Sequence, residues 1–218
     1  MNIIFVKWGN KYSSDHVINL YKSLKKYDKN YQYYCFTNMF NTDEDILSEY
    51  NIKCINMLQY KPLLKKWWNK LKLFDKNFPI KGKCLYFDLD TKINSDPFLI
   101  LKQINWDKLT LVDCPWKRDR YNIGNPLTNY EVTINSSIMT WKTNNKNVHE
   151  IWDYFADSGY KDYFLRKYVG IDRYIVHEDF EYNVFPHNYT QSFKYEPNKS
   201  APVTTYEEVD FEGTNTIS

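Results

Sequence analysis

The sequence predicts an α/β protein in which a parallel sheet carries helices on both faces. Strand-like apolar runs alternate with amphipathic helix-like segments through the first half of the chain, and no internal repeat interrupts this alternation. The 218 residues suit one domain, and the 43% hydrophobic and 18% aromatic content can fill a sizeable core. In such sheets ligands bind beyond the carboxyl ends of the strands, where the strand order reverses.

The first half of the chain supplies four strands and two helices. Apolar runs predict strands at 3–6, 31–37, 52–57 and 84–87. A helix capped by Ser13 or Ser14 follows the first strand, because apolar residues recur there at helical spacing. After Pro62, the segment LLKKWWNKLKLF predicts a second helix. Its expected apolar stripe consists of Leu64, Trp67, Trp68, Leu71 and Phe74.

The second half begins with a helix expected at Pro97, for which Ser95 or Asp96 supplies the N-cap. Strand patterns follow at 109–114 and 132–141. An amphipathic helix then carries the apolar residues Val148, Ile151, Trp152 and Phe155.

A short helix and several extended segments complete the predicted domain, which spans residues 1–197. The polar, acidic segment 198–218 is expected to be a flexible tail, because it has few residues for a core. The polar loop 117–130 is expected to help select the substrates.

Composition argues against several classes of protein. The net charge is +2 and the lysines are scattered among acidic residues, so no nucleic-acid partner is expected. No apolar run is long enough to span a membrane, and the N-terminus does not resemble a signal peptide. The four cysteines lack metal-binding spacing and are expected to be reduced core residues, which favours the cytoplasm. The abundance of Asn, Lys, Tyr and Ile is typical of an AT-rich genome, such as that of a virus acting in a host cytoplasm.

Two aspartates, Asp88 and Asp90, follow the buried strand CLYF. Residues two apart in an extended chain project to the same side, and two close carboxylates raise each other's pKa. A divalent cation relieves that repulsion, and a magnesium-like ion commonly takes one or two carboxylates together with substrate phosphates. The pair therefore indicates a metal that bridges the protein to a diphosphate.

The order WWNKLKLF, GKCLYFDLDTKI and INSSIMTWK resembles that of nucleotide-sugar glycosyltransferases with the GT-A fold. The similarity is to the family-eight type, the glycogenin and lipopolysaccharide galactosyltransferase group, over residues 3–195. It implies a mixed, mainly parallel sheet of the Rossmann-like kind. It also implies that Asp88 and Asp90 hold Mn²⁺ or Mg²⁺ and that Lys70 reaches the donor.

The resemblance assigns further residues to the sugar and the acceptor. Asn135 and Ser136 match a stretch that lines the donor sugar, although Ser137 replaces the family glycine. Asp172 matches the acidic member of a pair that faces the acceptor and the reacting carbon, and Arg173 stands where glutamine is usual. Asp172 and Asn135 are therefore the candidate catalytic residues.

The loop after the first strand is where the family embraces the nucleotide base. Trp8 or Tyr12 is a candidate to stack on uracil, as aromatic side chains do on bases, and Lys11 is a candidate to approach phosphate. The alternative is that an aromatic residue of this loop packs under the first helix. Asn38, at the end of the second strand, is a further candidate base contact.

The C-terminal stretch HNYTQSFKYEP is similar to a family segment whose histidine completes the metal shell and whose lysine binds phosphate. His187 and Lys194 are the counterparts. The family glycine is missing here and the spacing is one residue longer. A surface histidine after Pro186 is the alternative for His187.

The resemblance implies a metal-dependent transfer of a sugar from a nucleoside diphosphate sugar, a UDP-hexose, to a glycan or other hydroxyl acceptor. Retention of the anomeric configuration is favoured. An inverting reaction instead needs a carboxylate base, for which Asp172, Glu178 and Asp179 are the candidates.

Three rival functions are kept. One is a catalytically silent module that binds sugar nucleotides or proteins. Another is a phosphohydrolase of the haloacid dehalogenase type, but Lys92 stands where its motif requires Thr or Val. The third, a nucleotidyltransferase, normally needs a Gly-rich loop after the first strand, and KWGNKYSSD has one glycine.

Overall fold

The computed structural model describes residues 1–114, 132–157, 159–193 and 200–205. The strands in these ranges are β1 (Asn2–Lys7), β2 (Gln32–Thr37), β3 (Ile52–Asn56), β4 (Lys83–Phe87), β5 (Lys92–Ile93), β6 (Leu109–Asp113), β7 (Ile134–Lys142), β8 (Tyr182–Val184), β9 (Thr190–Ser192) and β10 (Val203–Thr205). The α-helices are α1 (Ser14–Lys25), α2 (Phe40–Leu47), α3 (Lys146–Ala156), α4 (Lys161–Lys167) and α5 (Ile171–His177). Within the described ranges, every helix is too short or too polar to cross a bilayer.

A seven-stranded sheet with the order β3-β2-β1-β4-β7-β6-β8 forms the centre of the fold. The pairs β3–β2, β2–β1, β1–β4 and β6–β8 are parallel, whereas β7 runs antiparallel to both β4 and β6. The sheet is therefore mixed and mainly parallel, as predicted. Its order reverses between β1 and β4, because β2 and β3 extend the sheet on one side of β1 and β4 extends it on the other.

Helices cover both faces of this sheet, which confirms the second part of the fold prediction. Alternating residues of β1 face opposite ways, so Ile4 joins one core cluster and Ile3 and Phe5 join the other. The face with Ile4 packs against α3, α4 and α5, and the opposite face packs against α1 and the end of α2. The four cysteines are free thiols, as expected.

The segment after Pro62 forms a 3₁₀ helix over Lys66–Phe74 instead of the predicted α-helix. In the 3₁₀ geometry every third residue is eclipsed, so an α-helical stripe is not the buried face. Trp68, Leu71 and Phe74 are in the core as predicted, but Trp67 is 39% exposed. The inclusion of Trp67 in the buried stripe was therefore wrong.

Three other local predictions need correction. The helix expected from Pro97 is only a 3₁₀ turn over Leu99–Lys102, although the Asp96 carboxylate does accept a hydrogen bond from the Phe98 amide at 2.9 Å. The helix α2 was missed, since its sequence FNTDEDIL lacks an apolar stripe.

The third correction concerns the segment 198–218. Its residues Val203–Thr205 form β10, which is buried and pairs with both β5 and β9. The side-chain amide of Asn94 adds bonds to the Ala201 carbonyl at 3.0 Å and to Thr204 Oγ1 at 2.8 Å. The strand directly after the aspartate pair is therefore held by residues that were expected to be mobile.

The 3₁₀ helix buries a lysine with an unusual environment. Lys72 is 1% exposed, and its ammonium group has no hydrogen-bond partner among the described residues. Burial lowers the pKa of Lys72 from 10.5 to about 8, and the charge of Lys61 adds to the effect. This lowering corresponds to about 3 kcal/mol of unfavourable free energy at neutral pH.

Replacing Lys72 with Met is expected to raise the free energy of unfolding by about 3 kcal/mol at pH 7, because the buried charge is removed. From about pH 8 to pH 10 the unfolded wild-type chain binds a proton that the folded chain lacks. The free energy of unfolding of the wild type therefore rises with pH, relative to that of the variant, over this range. Urea unfolding of both proteins at pH 7 and pH 9.5 measures this. The exposed Lys76→Met is the control, and equal stabilities of wild type and Lys72→Met at pH 7 would contradict the account.

Candidate functional site

The site lies at the carboxyl ends of β1 and β4, where the strand order reverses. Strand β4 ends at Phe87, and the Asp88 amide donates to the Ser137 carbonyl of β7 at 2.7 Å. The Thr91 amide then donates to the Asp88 carbonyl at 3.1 Å, so residues 88–91 form a turn. The predicted position at the sheet edge is confirmed, but a turn rather than an extended strand brings the two carboxylates together.

Asp88 is a partly buried carboxylate with two strong partners. Its Oδ2 accepts from Lys70 Nζ at 2.8 Å, and its Oδ1 accepts a short hydrogen bond from the Tyr86 hydroxyl. Burial raises the pKa of Asp88 to about 6; Lys70 opposes this shift, and the negative charge of Asp90 adds to it. Lys70 and Tyr86 therefore stabilise the ionised form of Asp88, whereas burial and the charge of Asp90 oppose it.

Lys70 projects from the 3₁₀ helix into the site. Besides Asp88, its ammonium group donates to the Ser136 carbonyl at 3.2 Å and lies 3.4 Å from Ser136 Oγ. Its side chain is 9% exposed, and its ammonium group lies over the Tyr86 ring, 5.3 Å from the ring centroid. Lys70 thus joins the predicted metal-binding turn to the predicted sugar-lining segment.

Asp90 is connected to the loop after β1. Its Oδ2 accepts from the Tyr12 hydroxyl at 3.0 Å, and Lys11 Nζ lies 5.1 Å from the centroid of the Tyr12 ring. The structure therefore brings Lys11, Tyr12 and Asp90 together across the switch point. The predicted contact of Tyr12 with a base stays a prediction.

The other two base-contact candidates lie in or next to the same loop. Trp8 is half-buried and packs against the core face that carries Ile4, which is opposite the face covered by α1, so Trp8 does not pack under the first helix as its alternative interpretation stated. The side-chain oxygen of Asn38 accepts from the Gly9 amide at 3.0 Å, and Gly9 has a left-handed φ of 65° that favours glycine. Asn38 thereby fixes the loop that carries Trp8, Lys11 and Tyr12.

The segment 135–137 begins β7 and is held from two directions. Asn135 Oδ1 accepts from the Ser137 amide at 2.6 Å, so the asparagine stabilises its own turn of backbone. Asp172, in the first turn of α5, accepts from the Ser136 amide at 3.0 Å. The side chains of the predicted catalytic residues Asp172 and Asn135 therefore both accept hydrogen bonds from the backbone of the segment predicted to line the sugar.

One predicted C-terminal residue, His187, is not part of this cluster. The His187 ring lies 3.6 Å from Asp113 Oδ2, and its side chain is 59% exposed. No group of three or more His, Cys, Asp or Glu side chains suited to a metal occurs in the described ranges, so His187 is not gathered with Asp88 and Asp90. The imidazole instead lies beside a partly buried acidic residue at the end of β6. Lys194 and the loop 117–130 lie outside the described residues.

The aspartate pair nevertheless fits a divalent cation. Carboxylate oxygens are the hard ligands that Mg²⁺ and Mn²⁺ accept, and Asp88 and Asp90 are close enough for their charges to interact. Burial is the main cause of the raised pKa of Asp88, and the negative charge of Asp90, which a cation would neutralise, adds to it. Two carboxylates leave coordination positions for substrate oxygens and water.

Comparison with known proteins identifies the fold. No protein-family model matches the sequence, and no curated protein matches it. Solved structures do match. The galactosyltransferase LgtC, solved in complex with donor and acceptor sugar analogs, is 14% identical with a TM-score of 0.63, over 94% of this chain and 87% of that chain.

Two further glycosyltransferases are similar over most of this chain. GlyE of Streptococcus pneumoniae TIGR4 is 16% identical with a TM-score of 0.57, over 100% of this chain and 57% of that chain. Mouse xyloside xylosyltransferase 1 is 8% identical with a TM-score of 0.58, over 94% of this chain and 98% of that chain. The structural similarity establishes the fold, and identities this low establish nothing finer. The chain has the GT-A fold of glycosyltransferases.

Sequence reasoning missed one residue of the site, Tyr86. Its hydroxyl bonds to Asp88, and burial together with the nearby Asp88 charge raises the pKa of the phenol well above its ordinary value. The signal was present, because Tyr86 and Asp88 are two residues apart at the end of a strand and share one side. The strand prediction for 84–87 includes Tyr86, and a buried tyrosine hydroxyl usually has a hydrogen-bond partner.

Proposed function

We propose that this protein is a glycosyltransferase that moves a hexose from a UDP-hexose to a hydroxyl acceptor, such as that of a glycan. The GT-A fold supports this class of reaction. The observation that carries the proposal is the convergence of Lys70, Asp88, Asp90 and Tyr12 at the point where the strand order reverses. Ligands of open α/β sheets bind at this place.

Asp88 and Asp90 are the residues proposed to hold Mn²⁺ or Mg²⁺. When bound, the ion supplies charge neutralisation for the diphosphate leaving group. Lys70 is proposed to exchange its contact with Asp88 for a phosphate oxygen, since its ammonium is largely buried and lies 2.8 Å from the carboxylate proposed to hold the metal. Preorganised positive charge in a water-excluded site is commonly the largest contribution to catalysis.

The other residues are proposed to position the donor. Asn38 and Gly9 fix the loop after β1, which places Tyr12 and Lys11 beside the aspartate turn, where the nucleotide is proposed to bind. Asp172 holds the Ser136 amide, so that the backbone of 135–137 presents a rigid wall to the sugar. Lys194 is retained as a proposed phosphate contact.

A retaining reaction is proposed, because two of the three alternative carboxylate bases, Asp172 and Glu178, are engaged in hydrogen bonds. Burial alone would raise the pKa of Glu178, but bonds from Tyr168 and Lys167 outweigh it and hold the pKa below its ordinary value. A carboxylate with a lowered pKa is a weak base. Proton NMR of the first product gives the anomeric configuration, and an inverted product would contradict this step.

A donor screen tests the proposal. UDP-, GDP- and CDP-hexoses are incubated with the protein and Mn²⁺, and the released nucleoside diphosphate is measured together with the melting temperature. We expect UDP-hexose to be hydrolysed slowly without an acceptor and to raise the melting temperature only when Mn²⁺ is present, since binding to the folded state stabilises it. UDP that binds without any hydrolysis or transfer would instead indicate the silent binding module, and no effect of any donor would refute the proposal.

A further inference from the structure

The exposed indole of Trp67 stands next to the candidate site. Trp67 belongs to the 3₁₀ helix that carries Lys70, and residues three apart in this geometry lie on the same side. Along that side the exposed fraction rises from 1% at Leu73 to 7% at Lys70 and 39% at Trp67. Trp67 is therefore one 3₁₀ turn, about 6 Å along the axis, from Lys70 in the direction of solvent.

The indole is also fixed against α5. A Cβ atom placed on Gly170 would lie 3.3 Å from Trp67 Nε1 and 3.5 Å from Cδ1, so the indole rests on the glycine that precedes α5. Gly170 is extended, with φ of −174°, and its backbone does not itself require glycine. Because Gly170 has no side chain, Trp67 can approach its backbone closely.

This contact connects Trp67 to the proposed sugar wall. Two residues after Gly170, Asp172 accepts from the Ser136 amide at 3.0 Å. Lys70 donates to the carbonyl of the same Ser136 at 3.2 Å. The exposed indole is thus braced by the two elements, the 3₁₀ helix and α5, that hold the segment 135–137.

The chain around Trp67 shows further signs of a built site. Lys66 has a left-handed φ of 53°, a conformation that a residue with a side chain rarely adopts. Its ammonium lies 5.2 Å from the centroid of the Trp67 ring. Val169, next to Gly170, is 64% exposed and adds apolar surface.

We propose that Trp67 is the platform on which the acceptor sugar stacks. The inference rests on the proposed glycosyl transfer and names the acceptor class: a pyranoside that presents an apolar face of C–H groups to the indole. Such a face suits a large, rigid and partly exposed aromatic ring, and the Lys66 ammonium, 5.2 Å from the ring centroid, is proposed to donate to the sugar hydroxyls. Trp67 is a binding residue in this account and takes no part in the chemical step.

Saturation-transfer NMR tests the platform with a panel of methyl pyranosides of glucose, galactose, mannose and xylose, added to protein saturated with UDP and Mn²⁺. We expect at least one pyranoside to bind wild type, and its affinity to fall about tenfold in Trp67→Ala, which is the loss of roughly one aromatic contact. Trp67→Phe should retain most of the affinity. Gly170→Ala should weaken binding less than Trp67→Ala does, because the new Cβ displaces the indole by only a few tenths of an ångström.

The control is Trp106→Ala. Trp106 packs on Lys83 at the amino end of β4, the edge of the sheet opposite the site, and its removal should leave pyranoside binding unchanged. UDP affinity should be the same in wild type and Trp67→Ala. Equal pyranoside binding by wild type and Trp67→Ala, or no binding by wild type, would overturn the platform. If UDP itself fails to bind, the proposed function fails, and a Trp67-dependent pyranoside signal without UDP would still support the platform.

Discussion

Replacing Asp90 with Asn is expected to lower hydrolysis of UDP-hexose in the presence of Mn²⁺ by about 100-fold or more. A metal contributes several kcal/mol of charge stabilisation, and the variant removes one of the two proposed anionic ligands. The fold should survive the change, because the side-chain oxygen of Asn can still accept from the Tyr12 hydroxyl. Removing a like charge beside Asp88 should leave the melting temperature equal to or above that of wild type.

The matched control is Asp96→Asn, six residues further along the chain. Asp96 accepts from the Phe98 amide, a bond that Asn can also make, and it lies outside the proposed metal site. Hydrolysis rates and melting temperatures of the three proteins decide the matter. Wild-type hydrolysis by Asp90→Asn would remove the metal assignment, and a large fall in its melting temperature would show that Asp90 has a structural role.

Replacing Asp43 with Ala is expected to lower the free energy of unfolding by about 3–5 kcal/mol, the usual effect of removing one partner of a buried ion pair. Asp43, in α2, is 1% exposed and accepts from Lys7 Nζ at 3.1 Å and from Ser14 Oγ at 2.7 Å. Thr37 donates to the same carboxylate. The variant would leave the Lys7 charge, at the end of β1, buried without its carboxylate partner.

A loss of this size is a large part of the 5–15 kcal/mol that stabilises an ordinary domain. Urea unfolding measures it. The exposed Asp45→Ala on the same helix should change stability by less than about 0.5 kcal/mol. A Lys7→Met, Asp43→Leu double variant should recover part of the loss, because an apolar pair needs no compensating charge. A stability of Asp43→Ala within about 0.5 kcal/mol of wild type would contradict the account.

The position of the site could be predicted from the sequence, because it depends on local patterns. A buried strand followed by Asp88 and Asp90, in a chain of alternating strands and helices, is enough to place the pair at the carboxyl edge of a parallel sheet. Only the family resemblance identified Lys70 as a residue that reaches this edge of the sheet. The 3₁₀ geometry around Lys70 could not be predicted from the sequence, since the apolar spacing of WWNKLKLF also suits an α-helix.

The remaining features depend on contacts between distant residues. Lys7 and Asp43 are 36 residues apart, and neither lies in a pattern that identifies the other as its partner. Trp68 is buried, whereas the exposed Trp67 rests on Gly170, about a hundred positions further on. β10 is short and lies in a polar segment, so its pairing with β5 is visible only in the folded chain.

The central claim is that Asp88 and Asp90 bind a divalent cation that engages a diphosphate beside Lys70. A crystal grown with UDP and Mn²⁺, measured at the manganese absorption edge, tests it most directly. The account predicts an anomalous peak at the Asp88–Asp90 pair, with UDP phosphate next to it and Lys70 turned towards that phosphate. An unchanged Lys70–Asp88 ion pair at 2.8 Å, with no anomalous peak at the two carboxylates, would contradict it.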